Sequence, residues 1–83
     1  MPRSAHNREY RLFRSYLRSV RQEAGLTQKD VANALGVHQS FVSKYETGER
    51  RLDVIELRRV CRALRLPLAI FLEQLERILS RRP

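Results

Sequence analysis

The chain has 83 residues and a formal net charge of +8, from 17 basic and 9 acidic side chains, with 42% apolar residues. A single cysteine, Cys61, excludes an intrachain disulfide, no run reaches the roughly 18 apolar residues of a membrane span, and the apolar content excludes a disordered basic tail. A single small domain of a reducing cytoplasm is expected, without the apolar core of a signal peptide, and its charge points to a polyanion: nucleic acid or anionic lipid.

Gly25, Gly36, Gly48 and Pro67 punctuate long breaker-free stretches, which predicts helices. Residues 1–6 are expected to form a flexible tail, residues 7–80 one domain and residues 81–83 a second tail. The first helix is expected over residues 7–24. Phe13, Leu17, Val20 and Ala24 form its apolar stripe, widened by Leu12 and Tyr16, and Gly25 ends it. Arg11, Arg14, Arg18 and Arg21 recur at helical spacing on another face. That stripe reads either as a solubilising surface or as a surface for phosphates.

The second helix is expected over residues 28–35. Thr27 and Asp30 form a capping box with Asp in place of Glu, Val31, Ala32 and Leu35 face inward, and Gly36 follows. After the short connection Val37-His38, a third helix is expected over residues 39–46. Phe41, Val42 and Tyr45 are its inner positions, and Gln39, Ser40, Ser43 and Lys44 its outer ones. Asp53 and Glu56 form a second capping box before a fourth helix carrying Val54, Leu57, Val60, Cys61 and Leu64. Pro67 opens a fifth helix that runs to about Ser80, with Leu68, Phe71, Leu72, Leu75, Ile78 and Leu79 on one side. Five short amphipathic helices make an all-α domain in which each helix packs on the others.

The second and third helices, about two turns each, are too short to persist alone. Joined by a tight turn, they have the form of a helix-turn-helix whose second member projects outward. Gln can bond adenine in two places, Ser donates or accepts, and Lys reaches guanine or phosphate. Gln39, Ser40, Ser43 and Lys44 therefore have the chemistry of a major-groove reading head, although spacing alone leaves a merely solvated face as an equal reading.

The runs Gly25-Leu26-Thr27-Gln28-Lys29-Asp30-Val31-Ala32 and Leu35-Gly36-Val37-His38-Gln39-Ser40-Phe41-Val42-Ser43-Lys44-Tyr45-Glu46-Thr47-Gly48-Glu49-Arg50 resemble the Cro/repressor-type (XRE) helix-turn-helix family. The resemblance extends over about residues 10–76. It implies a compact five-helix, lambda-repressor-like domain in a bacterial or phage cytoplasm, binding double-stranded operator DNA as a homodimer. It implies that Gln28 meets a phosphate while touching Gln39, and that Gln39, Ser40, Ser43 and Lys44 face base edges. It puts His38, Arg50 and Arg51 near the DNA backbone and pairs Arg21 with Glu46 in a structural salt bridge. Many members have glycine between the fourth and fifth helices, where this chain has Arg65. A left-handed residue there costs Arg roughly 1 kcal/mol more than Gly.

Leu72, Leu75 and Leu79 follow a helical seam that Ile70, outside that stripe, broadens, so the fifth helix has more apolar surface than one face needs. They either pack within the monomer or form a dimer interface, which the resemblance favours. A two-fold dimer sets its reading helices roughly 34 Å apart on a near-palindrome. The alternative function is an antitoxin-type interaction module that holds a toxin partner and binds DNA secondarily; RNA polymerase is a further candidate contact. Cys61 reads as a core thiol. His6, His38 and Cys61 lack ligand spacing for a metal, no cofactor is implied, and no nucleophile has a base and an orienting partner, so an enzyme is not expected. RNA binding lacks an aromatic strand platform, and a membrane surface is disfavoured because the basic residues are not confined to one helix. Residues 27–48 carry two basic and two acidic side chains, whereas residues 1–26 carry six and two, and residues 49–66 six and three. The excess charge flanks the reading head, as expected if arginines supply phosphate affinity and uncharged groups supply discrimination.

Overall fold

The breaker-free stretches are helical. A computed structural model of the chain describes residues 3–81, with side chains from Asn7 onward. The helices are α1 (Arg3–Glu23), α2 (Gln28–Leu35), α3 (Gln39–Thr47), α4 (Val54–Ala63) and α5 (Leu68–Ser80), with no strand among the described residues. Residues 1, 2, 82 and 83, assigned to tails above, lie outside the described residues. Residues 3–6, placed in the expected tail, fall within the bounds of α1. No glycine or proline lies between Pro2 and Gly25, so nothing in this stretch breaks the helix.

Local chemistry fixes the helix ends. Thr27 Oγ1 accepts the Asp30 amide at 3.0 Å, and the Asp30 carboxylate accepts the Thr27 amide at 2.8 Å. Asp53 and Glu56 exchange the equivalent pair of bonds at 2.7 and 3.0 Å. Each reciprocal box satisfies amides that helix geometry leaves without partners. The turn after α4 does adopt the left-handed conformation, at Arg65 with φ 61°. Its neighbour Leu66 donates its amide to the Cys61 carbonyl at 3.0 Å, closing the helix end around that residue.

The core gathers one stripe from every helix: Leu17 of α1, Val31 and Ala32 of α2, Val42 and Tyr45 of α3, Leu57, Val60 and Cys61 of α4, Leu64, and Phe71 of α5. Phe71 is its aromatic hinge, stacked on Tyr16 at 4.9 Å and edge-on to Phe13 at 6.1 Å. Cys61 is fully buried, and burial pushes its thiol up to about 11. It packs as an apolar residue.

Candidate nucleic-acid interface

Helix α3 begins at His38, whose Nδ1 accepts the Ser40 amide at 3.1 Å. The ring therefore caps the helix and stands within 3.0 Å of the Ser40 hydroxyl. At 100° per residue, Gln39, Ser43, Ser40 and Lys44 fall within an arc of about 140°. Gln39, Ser40 and Lys44 are exposed and Ser43 is half-buried, while Val42 and Tyr45 lie in the core. The structure thus gathers the four candidate base-reading residues on the outward side of one helix.

A chain of hydrogen bonds runs beneath that side. The Arg21 guanidinium grips the Glu46 carboxylate twice, at 2.7 and 3.0 Å, and its remaining nitrogen donates to the Leu26 carbonyl at 2.9 Å. Both residues are buried, at 9% exposure each. The Glu46 bond raises the Arg21 pKa above its ordinary value. Glu46 also accepts the Gln28 side-chain amide at 3.0 Å, and Gln39 donates to the Gln28 carbonyl oxygen at 3.4 Å. The order is α1, α3, α2, then the start of α3. A buried ion pair therefore orients Gln28, and Gln28 in turn orients the first outward side chain of α3. Sequence reasoning paired Arg21 with Glu46 and Gln28 with Gln39 but missed the Gln28–Glu46 bond joining the two pairs. Such a contact between residues 18 positions apart has no local signature.

The loop after α3 is tied down differently. Arg50 clamps Glu56 at 2.6 and 3.1 Å and covers the Phe41 ring at 4.6 Å. The hydrogen bond from Arg50 holds the Glu56 carboxyl below its ordinary range. Arg51 lies over the Tyr10 ring at 4.1 Å. On α1, Arg14 reaches across to the Glu46 carbonyl at 3.4 Å and lies against Gly48, while Arg11 and Arg18 are exposed. The arginine stripe of α1 therefore divides into two side chains directed toward α3 and two at the surface.

Among the candidate dimer residues, Leu72 is exposed, and Leu75 and Leu79 line an open groove of about 350 Å³ with Tyr10, Phe13, Leu52, Val54 and Leu57. Ile70 is also exposed but lies about 160° around α5 from Leu72. Ile70 and the leucines therefore do not share one face. Among the described residues no helix is long and apolar enough to cross a membrane, and no group of three or more His, Cys, Asp or Glu side chains is placed to hold a metal ion.

A helix-turn-helix family model matches residues 17–71, from the core leucine of α1 to the core phenylalanine of α5. The chain belongs to the XRE-type helix-turn-helix family. It is similar to an XRE-family-like protein from Pseudomonas syringae pv. tomato, with 44% identity and a TM-score of 0.85 over 90% of this chain and 92% of that one. The fold is also that of the restriction-modification controller protein C.Esp1396I, at 21% identity and a TM-score of 0.81 over 90% and 96% of the two chains. ClgR, the clp gene regulator of C. glutamicum, is 26% identical with a TM-score of 0.74 over 87% and 92%. A 60-residue stretch, 65% of this helix-turn-helix chain, is 42% identical to part of a glutamine–fructose-6-phosphate aminotransferase from Methanocaldococcus jannaschii. The chain spans only 5% of that protein, a share too small to carry its activity over.

Proposed function

We propose that this chain is a sequence-specific DNA-binding transcriptional regulator that reads a near-palindromic operator through the major groove as a homodimer. The observation that carries this reading is the outward array of α3, with Gln39 tethered through Gln28 to the buried Glu46. Base discrimination needs side chains whose orientation is settled before binding. Gln39, Ser40, Ser43 and Lys44 meet base edges. Gln28 meets a phosphate at the start of α2, and His38 lies beside the backbone at the start of α3. Arg51 contributes phosphate affinity from the loop. Arg50 does so only with the part of its guanidinium that Glu56 leaves open. Leu72, Leu75 and Leu79 supply the apolar surface for dimerisation, with Ile70 outside it.

Selection of bound duplexes from a random pool tests the reading. Enrichment of a motif with two-fold symmetry is expected. Binding without any enriched sequence overturns sequence-specific regulation. Gln39→Ala is expected to cost about 1–3 kcal/mol on the selected site and much less on random DNA.

A further inference from the structure

A basic cleft of about 310 Å³ lies where α1 passes the C-terminal end of α3, lined by Asn7, Tyr10, Arg11, Arg14, Thr47, Gly48 and Arg51. Its lining holds three guanidinium groups and no carboxylate. Among the described residues, the buried side-chain polar atoms without a hydrogen-bond partner are the Tyr10 hydroxyl and Arg14 Nε, and both residues line this cleft. A buried donor left without an acceptor is costly, and such groups occur where a missing acceptor belongs. The cleft thus offers both positive charge and unanswered donors, the chemistry that receives a phosphate group.

Its position specifies which phosphate. Thr47 falls inside the same arc of α3 as Gln39, Ser40, Ser43 and Lys44, one turn beyond Ser43. The cleft therefore continues the reading surface at the end opposite Gln28. From Gln39 to Thr47 the helix rises about 12 Å, close to the major-groove width of about 12 Å. A helix seated in the groove can present Gln28 to one wall and this cleft to the other. From this geometry we infer that Tyr10, Arg11 and Arg14, together with Arg51, form a clamp for a backbone phosphate of the bound duplex, so that α1 is part of the DNA-binding surface. The inference rests on the DNA-binding reading above and adds a second anchoring point to it.

Two substitutions test it on the full chain with the selected operator. Arg11→Ala removes an exposed guanidinium. It is expected to weaken binding about tenfold, as loss of one charged phosphate contact does, and to lower the slope of log affinity against log salt by about 1. The order of preference among DNA sequences is expected to persist. Tyr10→Phe removes only the orphaned hydroxyl. It is expected to weaken DNA binding while leaving the free protein at least as stable as wild type, which a purely structural role for that hydroxyl does not allow. Replacing single operator phosphates by neutral methylphosphonates is expected to reveal one position whose loss weakens wild type but not Arg11→Ala. If wild type enriches a motif and both variants bind with unchanged affinity and salt slope, the clamp is wrong and the DNA reading stands. If wild type binds no duplex, both are wrong. Shifts of the Tyr10 and Arg14 resonances in millimolar inorganic phosphate, with no change in DNA salt slope for Arg11→Ala, mark a free-anion site and overturn the duplex assignment.

Discussion

Arg21 and Glu46 form a buried two-pronged bond, at 2.7 and 3.0 Å, between α1 and the last turn of α3. One carboxylate thereby joins the longest helix to the reading helix. Because Gln28 also bonds it, the same carboxylate ties α2 to α3 as well. Glu46→Ala leaves the Arg21 guanidinium buried and unpaired. Removing one member of a buried pair costs about 3–5 kcal/mol, so a large drop in the urea midpoint is expected. A loss below about 1 kcal/mol, the range of exposed pairs, shows that Arg21 finds water or another acceptor instead.

Gln28 and Gln39 are expected to act as a unit on DNA. In the proposed reading, Gln28→Ala removes a phosphate contact, which alone weakens all sequences equally. It also releases the Gln39 amide from its 3.4 Å partner, so some base preference is lost as well. A double-mutant cycle on the selected site is expected to give a coupling of about 0.5–1.5 kcal/mol, within the range for contacting residues. Strict additivity shows that the two amides contribute separately.

Gly48 and Gly36 offer a matched comparison. Both have positive φ, 88° and 71°, so alanine strains either backbone by roughly 1–2 kcal/mol. A Cβ on Gly36 meets nothing within 4 Å, whereas one on Gly48 comes 2.9 Å from Arg14 Nε and must displace that side chain. Both variants are expected to lose similar stability in urea titrations. Only Gly48→Ala is expected to lose DNA affinity beyond that, measured at a temperature where both remain folded.

The proposed dimer surface is tested by one leucine and one isoleucine of similar exposure, 42% for Leu72 and 44% for Ile70. Leu72→Glu is expected to shift sedimentation at micromolar concentration to monomer and to abolish binding to the paired half-sites. Ile70→Glu, on the far side of α5, is expected to leave the dimer intact. The reverse pattern moves the interface to the other face.

Acid is expected to weaken the folded state through two capping carboxylates. Thr27 holds the Asp30 carboxyl below its ordinary pKa, chiefly through its backbone amide, and Arg50 does the same for Glu56 through its guanidinium. A carboxyl lowered by folding contributes stability above its unfolded pKa, about 4, and loses it as pH falls through the folded value. The urea midpoint is therefore expected to hold from pH 7 to about 5 and to decline at lower pH. Arg50→Ala is expected to make that decline shallower; an unchanged slope removes Glu56 as a contributor.

Much of the architecture is legible in the sequence. Thr27 with Asp30 and Asp53 with Glu56 announce helix starts through bonds between residues three apart, and the spacing of Val31, Ala32, Leu57, Val60 and Phe71 marks faces that have to be buried. These signals are local, and local chemistry decides them. Helical spacing likewise sets Ile70 apart from the stripe of Leu72, Leu75 and Leu79.

The opening charge excess takes a more definite form in three dimensions. Periodicity and breakers specify five amphipathic helices, two of them too short to stand alone, with a charge-neutral helix-turn-helix between arginine-rich flanks. Packing in three dimensions assigns the partners of individual arginines: Arg21 is buried on Glu46, Arg50 is held by Glu56, and Arg14 lies against Gly48 beside Arg11 and Arg51. Charge is additive along a chain, but its work depends on which group lies within a few ångströms. Packing α1 against α3 sets the distances from Arg14 and Arg21 to residues far apart in sequence.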